Sequence, residues 1–143
     1  MGCQVKKVLL VEDDIEIATL MDRVLRSIDS DVILDWITSG EDAIHHIENL
    51  YLNHVANPYD LVISDIYLDG GKTGFDLLEV CLQKIPETPF ILTSSNDIEE
   101  FSFTTNPKIK FHFLKKPLNP TEVSNVLRKI LYTKGSQSNV VLI

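Results

Sequence analysis

The chain has 143 residues, 44% of them hydrophobic, and its 21 acidic and 13 basic residues give it a formal net charge of −8. This length suffices for one hydrophobic core but is short for two, and the acidic balance argues against a surface that binds the phosphates of duplex nucleic acid. The apolar runs are far shorter than the roughly 20 residues that cross a bilayer. The N-terminus also lacks a signal-peptide pattern, so we expect a cytoplasmic protein without membrane contact.

Strand-like and helix-like patterns alternate along the chain. Short apolar runs predict five strands, at 7–11, 32–37, 61–64, 90–93 and 111–114. Apolar residues at helical spacing predict helices at 15–28, between the cap Ser39 and the breaker Asn57-Pro58, at 75–84, and after Asn119-Pro120. A weaker helix is predicted at 96–110, where phenylalanine and threonine are poor helix formers. Right-handed crossovers then favour an α/β fold with a doubly wound, five-stranded parallel sheet of order 2-1-3-4-5.

Polar residues follow four of the five predicted strands. Glu12-Asp13-Asp14 follows the first strand, Asp65 the third, Ser94 the fourth and Lys115-Lys116-Pro117 the fifth. In a parallel sheet the carboxyl ends of all strands lie at one edge, and ligands bind there, near the point where the strand order reverses. We therefore expect these polar groups to share one site.

The acidic residues of this edge predict a metal site. Glu12, Asp13 and Asp65 would follow adjacent strands roughly 4.8 Å apart. Carboxylates that close repel one another unless a cation joins them, and Mg²⁺ prefers such oxygen ligands. An acidic cluster after a strand also stabilises a helix N-terminus, and we interpret Asp14 as a helix cap rather than a ligand.

Four sequence motifs carry a family resemblance. They are Val-Leu-Leu-Val-Glu-Asp-Asp at 8–14, Asp-Leu-Val-Ile-Ser-Asp at 60–65, Phe-Ile-Leu-Thr-Ser-Ser at 90–95 and Leu-Lys-Lys-Pro-Leu at 114–118. In this order and at these separations they resemble the receiver domain of two-component response regulators. The resemblance implies a flavodoxin/CheY-like (βα)5 fold, with a receiver domain at 5–133 and a C-terminal tail at 134–143 without an output domain.

The resemblance also implies a chemistry. Asp65 matches the aspartate that accepts a phosphoryl group from a sensor histidine kinase or a histidine phosphotransfer protein. Glu12 and Asp13 match the acidic pair that binds Mg²⁺ together with Asp65, and the backbone carbonyl of Tyr67 would be a further ligand. Lys116 matches the lysine that contacts the phosphate. Such a protein is not an enzyme beyond catalysing its own phosphorylation and dephosphorylation.

A conformational switch is the second implication of the resemblance. Ser94 matches the switch hydroxyl, Phe113 the aromatic switch position, and Pro117 the proline whose peptide bond is cis in the family. The surface altered by phosphorylation would comprise the fourth predicted helix, the fifth strand and the last helix. We expect a downstream protein partner on this surface, which also serves homodimers of receivers.

Several positions depart from the family pattern. Asp69 stands where receivers carry proline, and the following Gly70-Gly71 predicts a mobile loop. The switch hydroxyl belongs to serine rather than threonine, and the register from Pro89 favours Ser94 over Ser95. Tyr67 is bulky and would hinder the water that hydrolyses the acyl phosphate, which predicts a long-lived phosphoryl state.

Two other functions are compatible with parts of the pattern. A receiver-like module that binds partners without phosphorylation would tolerate the unusual loop. A Mg²⁺ enzyme on a similar sheet, such as a haloacid-dehalogenase-like phosphatase or a Toprim enzyme, needs a second aspartate that Asp65-Ile66-Tyr67 does not offer. Trp36, in the second strand, is interpreted as a packing residue.

Overall fold

The computed structural model describes residues 4–97 and 110–133. The strands are β1 Lys7–Val11, β2 Ile33–Ile37, β3 Leu61–Asp65, β4 Phe90–Ser94 and β5 His112–Lys115. The helices in these ranges are α1 Ile15–Ile28, α2 Gly40–Leu52, α3 Gly74–Lys84 and α4 Pro120–Tyr132. The helix predicted at 96–110 falls almost entirely outside the described residues. Within the described ranges, no helix combines the length and apolar character needed to cross a membrane.

The five strands form one parallel sheet of order β2-β1-β3-β4-β5, as the sequence predicts. Val11, the last residue of β1, is in register with Ser64 of β3, and Asp65 at the end of β3 is in register with Thr93 of β4. Because the strands run parallel and in step, the residues that follow them meet at one end of the sheet, called the carboxyl edge below.

Helices cover both faces of the sheet. Leu9 and Val11 of β1 belong to a buried cluster with side chains of α2 and α3, whereas Val8 and Leu10 belong to a second cluster with α1 and α4. A strand buried on both faces needs apolar side chains at successive positions, which explains the continuous apolar runs in the sequence. The doubly wound α/β fold is therefore confirmed.

Each described helix begins at a polar cap just past the carboxyl edge. Asp14 accepts a hydrogen bond from the Glu16 backbone N–H at the start of α1, Ser39 caps α2, Thr73 caps α3, and Asn119 caps α4. Such caps satisfy helix N–H groups that have no partner within the helix, and each contributes about 1 kcal/mol. The prediction that Asp14 is a cap is confirmed, and this cap fixes where the chain leaves β1.

Trp36, interpreted from the sequence as a packing residue, is only partly buried. It lies on β2, the outer strand of the sheet, and 42% of its surface is exposed. The indole N–H donates to the backbone carbonyl of Glu12 at 2.7 Å. An amphipathic ring can leave one face in water when its polar atom has a partner, and this bond places the indole beside the carboxyl edge.

Thr93 on β4 carries an unsatisfied polar atom in the core. Its side chain is 1% exposed, and its hydroxyl has no hydrogen-bond partner among the described residues. A buried hydroxyl without a partner costs about 1 to 3 kcal/mol.

We expect Thr93→Val, which keeps the shape and removes the hydroxyl, to raise the free energy of unfolding by about 1 kcal/mol in urea denaturation. Thr93→Ser keeps the hydroxyl and loses a methyl group, so it should be less stable than the native chain. A Thr93→Val protein with a lower free energy of unfolding than the native chain would contradict this account.

Candidate functional site

Three carboxylates meet at the carboxyl edge. Glu12 and Asp13 follow β1, and Asp65 ends the neighbouring strand β3. One carboxylate oxygen from each of the three lies within 4.8 Å of the others. Glu12 and Asp65 are 1% and 8% exposed, whereas Asp13 is exposed to solvent. The structure therefore brings together the acidic residues that the sequence predicts to share a site.

Lys116 supplies the positive charge of this cluster. It follows β5, and its ammonium Nζ lies 3.1 Å from Asp65 Oδ2 and 3.3 Å from Glu12 Oε1. The Lys116-Pro117 peptide bond is cis, and the Lys116 backbone N–H donates to the Ser94 carbonyl at 2.8 Å. Burial alone would lower the pKa of Lys116, but Asp65 and Glu12 outweigh it and raise the pKa, so the lysine stays charged.

One lysine does not fully compensate the buried carboxylates. Burial raises the pKa of Glu12 to about 7, although Lys116 opposes the change, and neighbouring Asp65 raises it further. Burial also raises the pKa of Asp65, against the lowering effects of Lys116 and of the Tyr67 backbone N–H. Both carboxylates are therefore protonated more readily than in water, and a bound cation would favour their ionised forms.

The donor set fits Mg²⁺. This ion prefers hard oxygen ligands and keeps several waters, so it is held by few carboxylates at an open site. Asp13 is exposed on the solvent side of the cluster, and Glu12 and Asp65 form its buried side. Tyr67, whose carbonyl the sequence predicts as a ligand, follows β3 by two residues and is 55% exposed.

The two predicted switch residues lie on neighbouring strands. Ser94 ends β4 and is buried, whereas Ser95 is exposed, so Ser94 provides the hydroxyl inside the carboxyl edge. Its Oγ accepts a hydrogen bond from the Asn96 N–H at 3.0 Å. Phe113 is half-buried on β5, in register with Leu92 of β4, and packs against the α2 and α3 side of the core.

One residue of this region was missed by the sequence analysis. Glu41, in the first turn of α2, accepts a hydrogen bond from the Gly71 N–H at 2.7 Å. It thereby contacts the loop between β3 and α3 that the sequence predicts to be mobile. The contact joins residues 30 positions apart, and an acidic residue in a first helical turn has a sufficient local explanation, so no pattern pointed to it.

Comparisons with known proteins identify a family and several similar structures. A sequence model described as response regulator receiver domain matches residues 8–128. A putative response regulator from Chloroflexus aurantiacus J-10-fl is 25% identical, with a TM-score of 0.70 over 91% of this chain and 100% of that one. The chemotaxis response regulator CheY4 of Vibrio cholerae is 21% identical, with a TM-score of 0.70 over 90% of this chain and 100% of that one. The phosphorylated cyanobacterial phytochrome response regulator RcpA is 20% identical, with a TM-score of 0.76 over 94% of this chain and 100% of that one.

The raised pKa of Glu12 makes stability depend on pH. Between pH 4.5 and about 7 the folded chain holds a proton on Glu12 that the unfolded chain releases, so this group weakens folding as the pH rises. Glu12→Gln cannot ionise. Without Mg²⁺, we expect its unfolding free energy relative to native to rise by roughly 2 to 3 kcal/mol from pH 4 to pH 8.

Urea denaturation in EDTA across this pH range measures the effect. Glu79→Gln, an exposed glutamate on α3, is the matched control and should give a constant difference from native. A pH-independent difference for Glu12→Gln as well would show that burial does not raise the pKa of Glu12.

Proposed function

Since this chain belongs to the response regulator receiver family, we propose that it accepts a phosphoryl group on Asp65 from a sensor histidine kinase or a histidine phosphotransfer protein. Receiver domains act in two-component signalling and are not conventional enzymes. The observation that carries the proposal is the position of Lys116, whose ammonium lies within 3.3 Å of both a buried glutamate and the aspartate that ends β3. A structural salt bridge needs one carboxylate, whereas this lysine is shared by two, next to a third that is open to solvent.

Asp65 is the nucleophile in this proposal. A carboxylate oxygen attacks phosphorus, the bond between phosphorus and the donor's imidazole nitrogen breaks, and the imidazole leaves with that electron pair. Phosphoryl transfer depends mainly on positioning and charge neutralisation, with little covalent work for the protein. Lys116 Nζ, 3.1 Å from Asp65 Oδ2, is placed to contact a transferred phosphoryl oxygen and to neutralise part of its charge.

Mg²⁺ is the cofactor that we propose for this reaction. Glu12, Asp13 and Asp65 would hold it, with the Tyr67 carbonyl as a further ligand. When bound, the ion supplies positive charge to the phosphoryl oxygens. The mutual proximity of the three carboxylates and the raised pKa of Glu12 support this ligand set.

Ser94 and Phe113 form the proposed switch. The oxygen of the Ser94 hydroxyl already accepts from the Asn96 N–H, which leaves its proton to donate to a phosphoryl oxygen. Such a bond draws the end of β4 inward, and Phe113 then moves into the space that this leaves. Lys116-Pro117 joins the end of β5 to the same hydrogen-bond network, through the bond to the Ser94 carbonyl. A local change of charge thereby shifts a two-state element.

The wider setting of this function is also part of the proposal. We place the receiver domain at 5–133 and in the cytoplasm. A downstream protein, or a second copy of this chain, binds the surface formed by the fourth predicted helix, β5 and α4. The fourth predicted helix falls almost entirely outside the described residues, so β5 and α4 carry the described part of this surface.

Phosphorylation of Asp65 is directly measurable. We expect incubation with acetyl phosphate and Mg²⁺ to add the mass of one phosphoryl group to the native chain and none to Asp65→Asn, because the amide is not a nucleophile. Intact-mass spectrometry reads both. Omitting Mg²⁺ should abolish the adduct, and Lys116→Ala should slow its formation by at least tenfold.

Two outcomes would contradict the phosphoacceptor function. An adduct on Asp65→Asn would place the phosphoryl group elsewhere. No adduct on either chain, together with no binding of beryllofluoride by the native chain, would favour a module that binds its partners without phosphorylation.

The lifetime of the phosphoryl group tests the role of Tyr67. Its side chain is exposed two residues after Asp65, where its bulk hinders the approach of water to the acyl phosphate. We expect the native adduct to persist for many minutes in Mg²⁺ and Tyr67→Ala to hydrolyse several-fold faster. Tyr51→Ala, at an exposed tyrosine near the end of α2, is the control. A native half-life of seconds would contradict the prediction.

A further inference from the structure

The loop that joins β3 to α3 holds two of the three carboxylates through its backbone. The Asp69 N–H donates to Asp13 Oδ2 at 3.3 Å, and the Tyr67 N–H donates to the Asp65 carboxylate. The same short segment carries the carbonyl that we propose as a metal ligand. The geometry of the cluster therefore depends on the conformation of this loop.

The two glycines at the centre of the loop do little to restrict its backbone conformation. Gly70 adopts a φ of +99°, in the left-handed region that favours glycine. A Cβ there would lie 2.8 and 2.9 Å from the two carboxylate oxygens of Glu41, so any other residue would displace that carboxylate. A Cβ on Gly71 would make an ordinary contact of 3.6 Å with Glu41 Oε2. Gly70 is thus the position that lets the carboxylate reach the loop, and Gly71 provides the N–H that it binds.

The contact is close on the helix side as well. A Cβ on Gly40, the first residue of α2, would lie 2.9 Å from the Lys72 carbonyl oxygen, so the start of α2 packs directly on the loop backbone. The Gly71 N–H lowers the pKa of Glu41 most, and the Glu41 N–H at the start of α2 lowers it further, as do the backbone and charge of Lys72. The carboxylate is therefore ionised at neutral pH, and its hydrogen bond to Gly71 is of the stronger, charge-assisted kind.

We propose that Glu41 is a positioning residue for the phosphoryl-transfer site. By holding Gly70 and Gly71 from α2, its carboxylate keeps the loop in the conformation that directs the amides of Tyr67 and Asp69 at Asp65 and Asp13. It thereby sets the affinity of the carboxylates for Mg²⁺. The inference rests on the proposed function, since it assigns Glu41 a part in the metal site of that function.

Trp36 offers a direct readout of this affinity. It is the only tryptophan of the chain, and its indole N–H is bonded to the backbone carbonyl of Glu12. We expect Mg²⁺ to change its fluorescence and a titration to yield a dissociation constant. Glu41→Ala should weaken Mg²⁺ binding by about tenfold, as is usual when a group that orients metal ligands is removed. Glu41→Gln keeps an oxygen that can accept from Gly71 and should lie between native and Glu41→Ala.

Asp42→Ala is the matched control. Asp42 is also an acidic residue in the first turn of α2, so its removal has a similar effect on the helix but leaves the loop contact intact. Its Mg²⁺ affinity should stay within about twofold of native. Amide hydrogen exchange without Mg²⁺ gives a second readout, in which Gly71 and Asp69 should exchange faster in Glu41→Ala and not in Asp42→Ala.

The outcomes separate this inference from the proposed function. Unchanged Mg²⁺ affinity in Glu41→Ala, in a protein whose native form binds Mg²⁺ and is phosphorylated on Asp65, would overturn the role of Glu41 alone. Equal losses in Glu41→Ala and Asp42→Ala would also overturn it, because they would reflect helix stability. A native chain that neither binds Mg²⁺ nor accepts a phosphoryl group would overturn both proposals.

Discussion

The ammonium group of Lys116 is the interaction on which this site depends. Glu12 and Asp65 are almost completely buried, and a buried carboxylate is costly unless a positive charge or several hydrogen-bond donors face it. The lysine comes from the chain after β5, 51 residues beyond Asp65, and reaches it because β4 alone separates β3 from β5. The contact between Lys116 and Asp65 therefore requires this strand order. The bond from the Lys116 N–H to the Ser94 carbonyl fixes the lysine backbone against β4 at that point.

The single positive charge of Lys116 does not balance the negative charges of the three carboxylates. Three carboxylates and one ammonium leave a net charge of minus two when all are ionised. Burial raises the pKa of Glu12 to about 7 although Lys116 opposes this change. A divalent cation would neutralise the net charge. A protein selected for stability alone would place apolar side chains here, since replacing buried ion pairs by well-packed hydrophobic residues is often stabilising. The retained charges fit the proposed function, and the surrounding two-sided core supplies the stability that they cost.

Local patterns in the sequence predicted most of this arrangement, and the exceptions have physical reasons. Strands buried on both faces and helix caps leave signals within a few residues, so the sheet order and the carboxyl edge followed from them. The contact between Glu41 and Gly71 left none, because it joins elements distant in the chain and each residue is explained locally. Trp36 was interpreted as a packing residue from its type alone, whereas its hydrogen bond to the Glu12 carbonyl depends on the pairing of β2 with β1. In both cases tertiary placement, which composition does not encode, decided the role.

Under the proposed function, the same charge balance explains how a phosphoryl group would be sensed. Phosphorylation replaces the single negative charge of Asp65 by the two of a phosphoryl dianion, so a site neutral with its cation becomes negative again. The extra charge favours further hydrogen-bond donors, and the buried hydroxyl of Ser94, which ends the neighbouring strand, can respond without adding a charge. Ser94 is already bonded through its oxygen to the Asn96 N–H and through its carbonyl to the Lys116 N–H. Any shift of Ser94 towards Asp65 therefore moves the chain after β4 and the end of β5 together, which couples the chemistry of the carboxyl edge to the surface that partners would bind.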